Sequence, residues 1–143
     1  MKNYHSFEIP LVHNNTAYLL KKCGYNVFTV LQIHTGTGEK YHYNLGDYAV
    51  LETQHKTDML MFVPDIWVAY AFIRKNYPNY DMSVYRKLVN DANREQTKYV
   101  FDIDDLNDEL VMLEYCETYE DAWQKGLNLI LTHIVEKKEK KDE

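Results

Sequence analysis

Glycine and proline are scarce in this chain, 5 and 3 among 143 residues. That scarcity excludes a collagen-like chain and argues against long linkers or structureless loops. Cysteine is scarcer still. Cys23 and Cys116 stand far apart, with no CxxC pair or other metal-ligand spacing, so two buried thiols in a reducing compartment are expected rather than a disulfide framework. Long hydrophobic runs are missing as well. The longest stretch, Ile66 to Ile73, is cut off by Arg74 and Lys75, far short of the ~20 apolar residues a membrane helix needs. Met1-Lys2-Asn3-Tyr4-His5 leads into polar residues, unlike the apolar centre of a signal peptide. Positive charge is in the minority: 16 Lys and Arg face 22 Asp and Glu, a net charge of −6. That balance opposes non-specific binding to nucleic acid or anionic membrane. Together these absences predict a cytoplasmic protein with no nucleic-acid and no membrane partner.

What is present makes a core. With 45% of residues hydrophobic and 14% aromatic, a chain of this length buries enough apolar surface for one domain. No internal repeat or boundary divides it. The expected organisation is a single α+β domain over residues 1–136, followed by a charged C-terminal tail, 137–143.

The period of the apolar residues changes along the chain. Residues 5–12 form a short apolar lead interrupted by Pro10. Asn14 and Asn15 then offer caps for a two-turn helix carrying Ala17, Leu19, Leu20 and Cys23, with Gly24 where a helix-ending glycine belongs. Val27 to Ile33 is β-branched and aromatic, a strand pattern, and Thr35-Gly36-Thr37-Gly38 is a turn. Tyr41 to Leu45 and Tyr48 to Thr53 continue as strands. Pro64 opens a helix whose Ile66, Trp67, Ala69, Tyr70, Ile73 and Tyr77 recur at helical spacing until Pro78. Met82–Leu88, Lys98–Asp104 and Glu109–Tyr115 read as three strands. Thr118 and Asp121 match a capping box for a helix from Tyr119 to about Val135, with Gly126 marking a close approach to a sheet. The resulting fold class is α+β: an antiparallel sheet with helices packed on one face, the last two-thirds running helix-strand-strand-strand-helix.

That element order resembles the double-stranded RNA-binding domain, whose second helix opens with phosphate-binding lysines. Here the same place carries Glu117, Glu120 and Asp121, which reverses the chemistry and removes the RNA reading. Three further segments, Thr16–Tyr25, Val63–Tyr77 and Tyr115–Leu127, resemble small uncharacterised proteins of phages and prophages of gut Bacteroidetes. The resemblance implies a small accessory protein and supplies no activity.

No catalytic or cofactor motif is legible. Thr35–Lys40 lacks the spacer, the following Ser or Thr and the helix of a phosphate loop. Five of the six histidines fall in the first 55 residues, and His34 and His42 flank a turn, but without HxxxH or HExxH spacing. The sharpest feature is electrostatic. From Asp102 to Asp121 every charged side chain is acidic. A solvated hairpin and helix N-terminus is the plainest account of it. Its functional account is a docking surface for a protein partner, at Asp102, Asp104, Asp105, Asp108 and Glu109. Calcium is disfavoured, since the run lacks the central glycine and twelfth-position acid of an EF-hand loop. Tyrosine is abundant, 13 against 5 Phe, and Tyr41 and Tyr43 on the early strands suit a protein contact or a homodimer.

The leading expectation is therefore a non-enzymatic protein-protein interaction module without cofactor or metal. Reversing charge at Asp104, Asp105 and Asp108 is expected to abolish binding and leave stability intact. The alternative is a small-molecule or nucleotide binder, or an enzyme, with scattered site residues and a pocket near His34 and His42. A nucleic-acid patch at Arg86, Lys87, Arg94 and Lys98 is the third.

Overall fold

A computed structural model describes residues 10–26, 31–34, 40–42 and 60–141. Helix α1 (Asn14–Lys22) begins one residue earlier than the asparagines suggest, with His13 as its N-cap. The cap side chain makes no bond here. Instead His13 N–H donates to the side-chain oxygen of Gln124, 111 residues away, at 3.0 Å. The other end follows the sequence closely. Gly24 takes φ +95°, its N–H bonds Lys21 O, and Tyr25 N–H bonds Leu20 O at 2.9 Å. This is a Schellman closure, in which only glycine adopts the left-handed turn without penalty.

Strands β1 (Leu31–His34), β2 (Lys40–His42) and β3 (Leu60–Val63) form one antiparallel sheet in the order β2-β1-β3. The expected strand Tyr48–Thr53 and most of the Thr35–Lys40 turn lie outside the described residues. Helix α2 (Ile66–Asn76) is capped by Asp65, whose carboxylate accepts from Val68 N–H at 2.9 Å. Pro64 therefore precedes the helix rather than opening it. Its carbonyl accepts from Val12 N–H, while Ile66 N–H donates to Pro10 O, which pins the apolar lead beside α2.

The second sheet is an antiparallel meander of β4 (Tyr80–Asp91), β5 (Arg94–Asp105) and β6 (Met112–Cys116). Both long strands outrun their apolar patterns, because the ladder continues from Tyr80↔Asp105 to Asp91↔Arg94 through polar sequence. The hairpin closes at Ala92 and Asn93, with φ of 49° and 65°, the positive pair of a two-residue turn that matches strand twist. Helix α3 (Tyr119–Lys141) starts as the capping pattern requires, with Thr118 Oγ1 accepting from Asp121 N–H at 3.0 Å. It does not end near Val135. The residues expected to form a charged tail continue the helix to Lys141, with Lys137 on Glu109 and Glu139 near Lys22.

Helix α3 organises the layers. Its face of Ala122, Gly126, Leu127, Ile130, Leu131 and Ile134 is buried, against Tyr80, Met82, Phe101 and Ile103 of the second sheet. Gly126 sits so close to β4 that a Cβ there would overlap Met82 Sδ and lie 3.5 Å from Phe101. On the opposite side α1 packs against α3 and β3, and α2 lies alongside. The β4-β5-β6 sheet thus has its helices on one face, as the residue pattern implies. Among the described residues no helix is long and apolar enough to cross a membrane.

Candidate functional site

Strand alternation divides the acidic run. In β5, Phe101, Ile103 and Asp105 share the helix-facing side, whereas Asp102 and Asp104 share the other. Asp105, expected on a docking surface, is 3% exposed. Its carboxylate accepts from Asn107 N–H (3.0 Å), Glu109 N–H (3.3 Å), Leu110 N–H (3.2 Å) and the Asn79 side-chain amide (2.9 Å). It is closed off by the backbone of the following loop rather than by depth in the core. Burial pushes its pKa up, but the hydrogen bonds outweigh burial and hold the carboxyl below the usual value. Asp105 is thus the internal anchor of the β5–β6 loop, and reversing its charge would dismantle that loop.

Glu109 is also engaged. Lys137 Nζ lies 2.7 Å from its Oε2, and His133 Nε2 lies 3.7 Å away. On its other side, His133 Nδ1 meets the Tyr80 hydroxyl at 2.6 Å. Burial, then the Asp105 charge, raises the Tyr80 pKa, so the phenol keeps its proton. The tautomer that satisfies all three groups has Tyr80 donating to Nδ1 and Nε2–H turned to Glu109. Asp105, Glu109 and His133 place ligand atoms within 4.8 Å of one another, a spacing compatible with a cation. Lys137 already supplies the positive charge there, however, and the hydrogen bonds engage both Asp105 oxygens. His133 carried no signal in the sequence beyond its place beside Ile134.

The other side of the β4-β5-β6 sheet is different in character. Among the described elements, none packs over it. Val100 is completely buried there, yet it stands apart from the main core. In register it lies between Tyr85 on β4 and Tyr115 on β6. The next row holds Ser83, Asp102 and Leu113. Leu113 is 51% exposed, Tyr115 46% and Tyr85 39%. Beyond this apolar centre the rows are charged. Asp81 opposes Asp104 at one end, and Lys87 opposes Lys98 at the other.

Each charged row has local partners. Arg74 reaches Asp81 at 3.0 Å, Lys98 pairs with Glu117, and Lys87 lies over the Tyr115 ring at 5.8 Å. Tyr70 covers the first part of the β4 edge, accepting from Met82 N–H and directing its own hydroxyl between Met82 O and Asp81.

Of the residues the sequence singled out, Asp102 and Asp104 therefore belong to one open face, and Asp108 is exposed in the loop at φ +54°. Asp105 and Glu109 belong to the opposite side. Tyr41 lies on β2, in register with Gln32, but its side chain, like Tyr43, lies outside the described residues. The side chains of His34 and His42 do too. Arg86 and Lys87 point to opposite faces of β4, so the basic patch is not contiguous. Both thiols are free and buried; burial pushes Cys23 up to about 11 and raises Cys116 also.

No protein-family model, curated protein or solved structure matches this chain.

Proposed function

We propose that this protein is a non-enzymatic interaction module whose docking face is the open side of the β4-β5-β6 sheet. The observation that carries this reading is the row Tyr85–Val100–Tyr115, an apolar centre on the side of the sheet away from the helices. An ordinary solvated sheet face alternates to polar residues at such positions. Here Leu113, Tyr115 and Tyr85 expose apolar area around a buried valine. Tyrosine suits that place, since its ring supplies contact area at little conformational cost and its hydroxyl stays hydrated.

Two of the acidic residues singled out in the sequence lie on this face. Asp102 and Asp104 border the apolar centre, where charge steers a partner into register more than it adds affinity. The binding-module reading is favoured over an enzyme because the cluster of titratable groups around His133, found among the described residues, is engaged in holding a loop.

The test is photo-crosslinking in cells from a reactive residue substituted at Leu113, with Glu136 on the exposed side of α3 as the control position. The reading expects defined protein adducts from position 113 and none from 136. Equal labelling from both positions, or none from 113, would contradict it.

A further inference from the structure

The open face is marked by charge at both ends, and the two ends are of opposite sign. Along β4 the outward residues run Asp81, Ser83, Tyr85, Lys87, and along β5 the matching rows run Asp104, Asp102, Val100, Lys98. Like charges directly opposite each other on neighbouring strands are unfavourable. Asp81 with Asp104, and Lys87 with Lys98, are two such pairs on one face. Each lies the same two-residue step from the apolar rows.

From this we infer that the open face binds a second copy of this chain, an inference that rests on the docking reading above. A two-fold axis lying in the face has two natural directions. Parallel to the strands, it would set acid on acid and lysine on lysine. Across the strands, between the Leu113 row and the Tyr115 row, it reverses the strand direction and solves both problems. Leu113 of each copy then meets the tyrosine row of the other, and Lys87 and Lys98 meet Asp81 and Asp104. The contact is isologous, so one surface supplies both halves. The present partners of these charges, Arg74 and Glu117, form only exposed pairs, which contribute little and exchange readily.

Three strands and four rows give a face of about 14 Å by 20 Å. That is small beside the ~800 Å² per partner of a durable complex. The self-association is therefore weak, rapid and sensitive to salt, and it suits a copy-to-copy contact that forms at high local concentration.

The experiment is sedimentation of the full chain over a roughly hundredfold concentration range at low and high salt, with Lys87→Glu and Asp81→Lys, which face each other across the two-fold, as variants at exposed positions. The parent should form dimers that dissociate with dilution and with salt. Each variant alone should associate at least about tenfold more weakly, since each sets like charges face to face. Mixed together, the two variants should associate with one another, because each then meets an opposite charge at both ends. Leu113→Glu should abolish dimers without changing the fold, read by circular dichroism. A parent that stays monomeric throughout, or single variants that dimerise like the parent, would overturn the inference. If the parent is monomeric while position 113 crosslinks to another protein in cells, the docking reading stands and self-recognition fails. Monomers together with no adduct would sink both.

Discussion

At the scale of single residues, two polar side chains hold backbone that hydrophobic contact does not reach. Asp105 gathers the loop before β6, and Gln124 on α3 accepts from His13 N–H and donates to Leu11 O at 2.7 Å. Gln124 is 4% exposed, so its removal leaves a donor and an acceptor with diminished access to water. Gln124→Leu is expected to lower stability by about 2–3 kcal/mol, measured by chemical denaturation. Asp105→Ala is expected to lose about 2–4 kcal/mol for the same reason, since several N–H groups lose their acceptor together.

The pH dependence follows from the depressed Asp105 carboxyl. A group with a lowered folded pKa contributes stability above its unfolded value, near 3.9 for an aspartate, and loses it as pH falls through the lower folded value. The parent should therefore lose stability progressively below about pH 4. Asp105→Asn should be less stable at neutral pH and show a shallower acid limb.

Asp105 also shows what the sequence hid. Surrounded by acids, it looks like one more surface charge. Its parity with Phe101 and Ile103, and the Asp-x-Asn turn in which its side chain accepts from the second residue on, were the signals that set it apart.

At the scale of elements, starts and stops were the most legible part of the chain. The Gly24 closure and the Thr118 cap are local chemistry, so a few residues specify them. Strand lengths were less legible, because β4 and β5 are extended by pairing with each other through residues that have no apolar pattern. The same holds for the end of α3, where Lys137 and Glu139 find partners on other elements.

Two substitutions test the element-level account. At Gly126 an added methyl gains about 1 kcal/mol of helix propensity but must displace the buried Met82 sulfur. Overpacking of about 1–3 kcal/mol wins, so Gly126→Ala should destabilise, and the penalty should vanish in a Met82→Ala background. At the hairpin tip the sign is opposite. Ala92 sits at positive φ, an arrangement that strains an ordinary residue by about 1–2 kcal/mol. Ala92→Gly should therefore stabilise by about 0.5 kcal/mol after the entropy of glycine is counted. Thermal unfolding of the parent, the Gly126 and Met82 single and double variants, and Ala92→Gly reads both effects.

At the scale of the whole molecule, α3 divides two kinds of surface. Toward it, the second sheet buries Tyr80, Met82, Phe101 and Ile103. Away from it, the same sheet carries an apolar centre between charged ends. Three apolar residues in succession, Tyr99, Val100 and Phe101, blurred the strand's two faces in the sequence. Only the register with β4 and β6 reveals that Val100 joins Tyr85 and Tyr115. Tyr85 and Tyr115 stand exposed on that face, beside Asp102 and Asp104 of the acidic run.

The most direct measurement is native mass spectrometry of the protein prepared gently from cells, beside a Leu113→Lys/Tyr115→Lys variant matched for thermal stability. The account predicts that the parent carries protein, either a second copy or another chain, and that the equally folded variant is alone. A parent bound to a small molecule or metal, or a variant that keeps its protein partner, would contradict it.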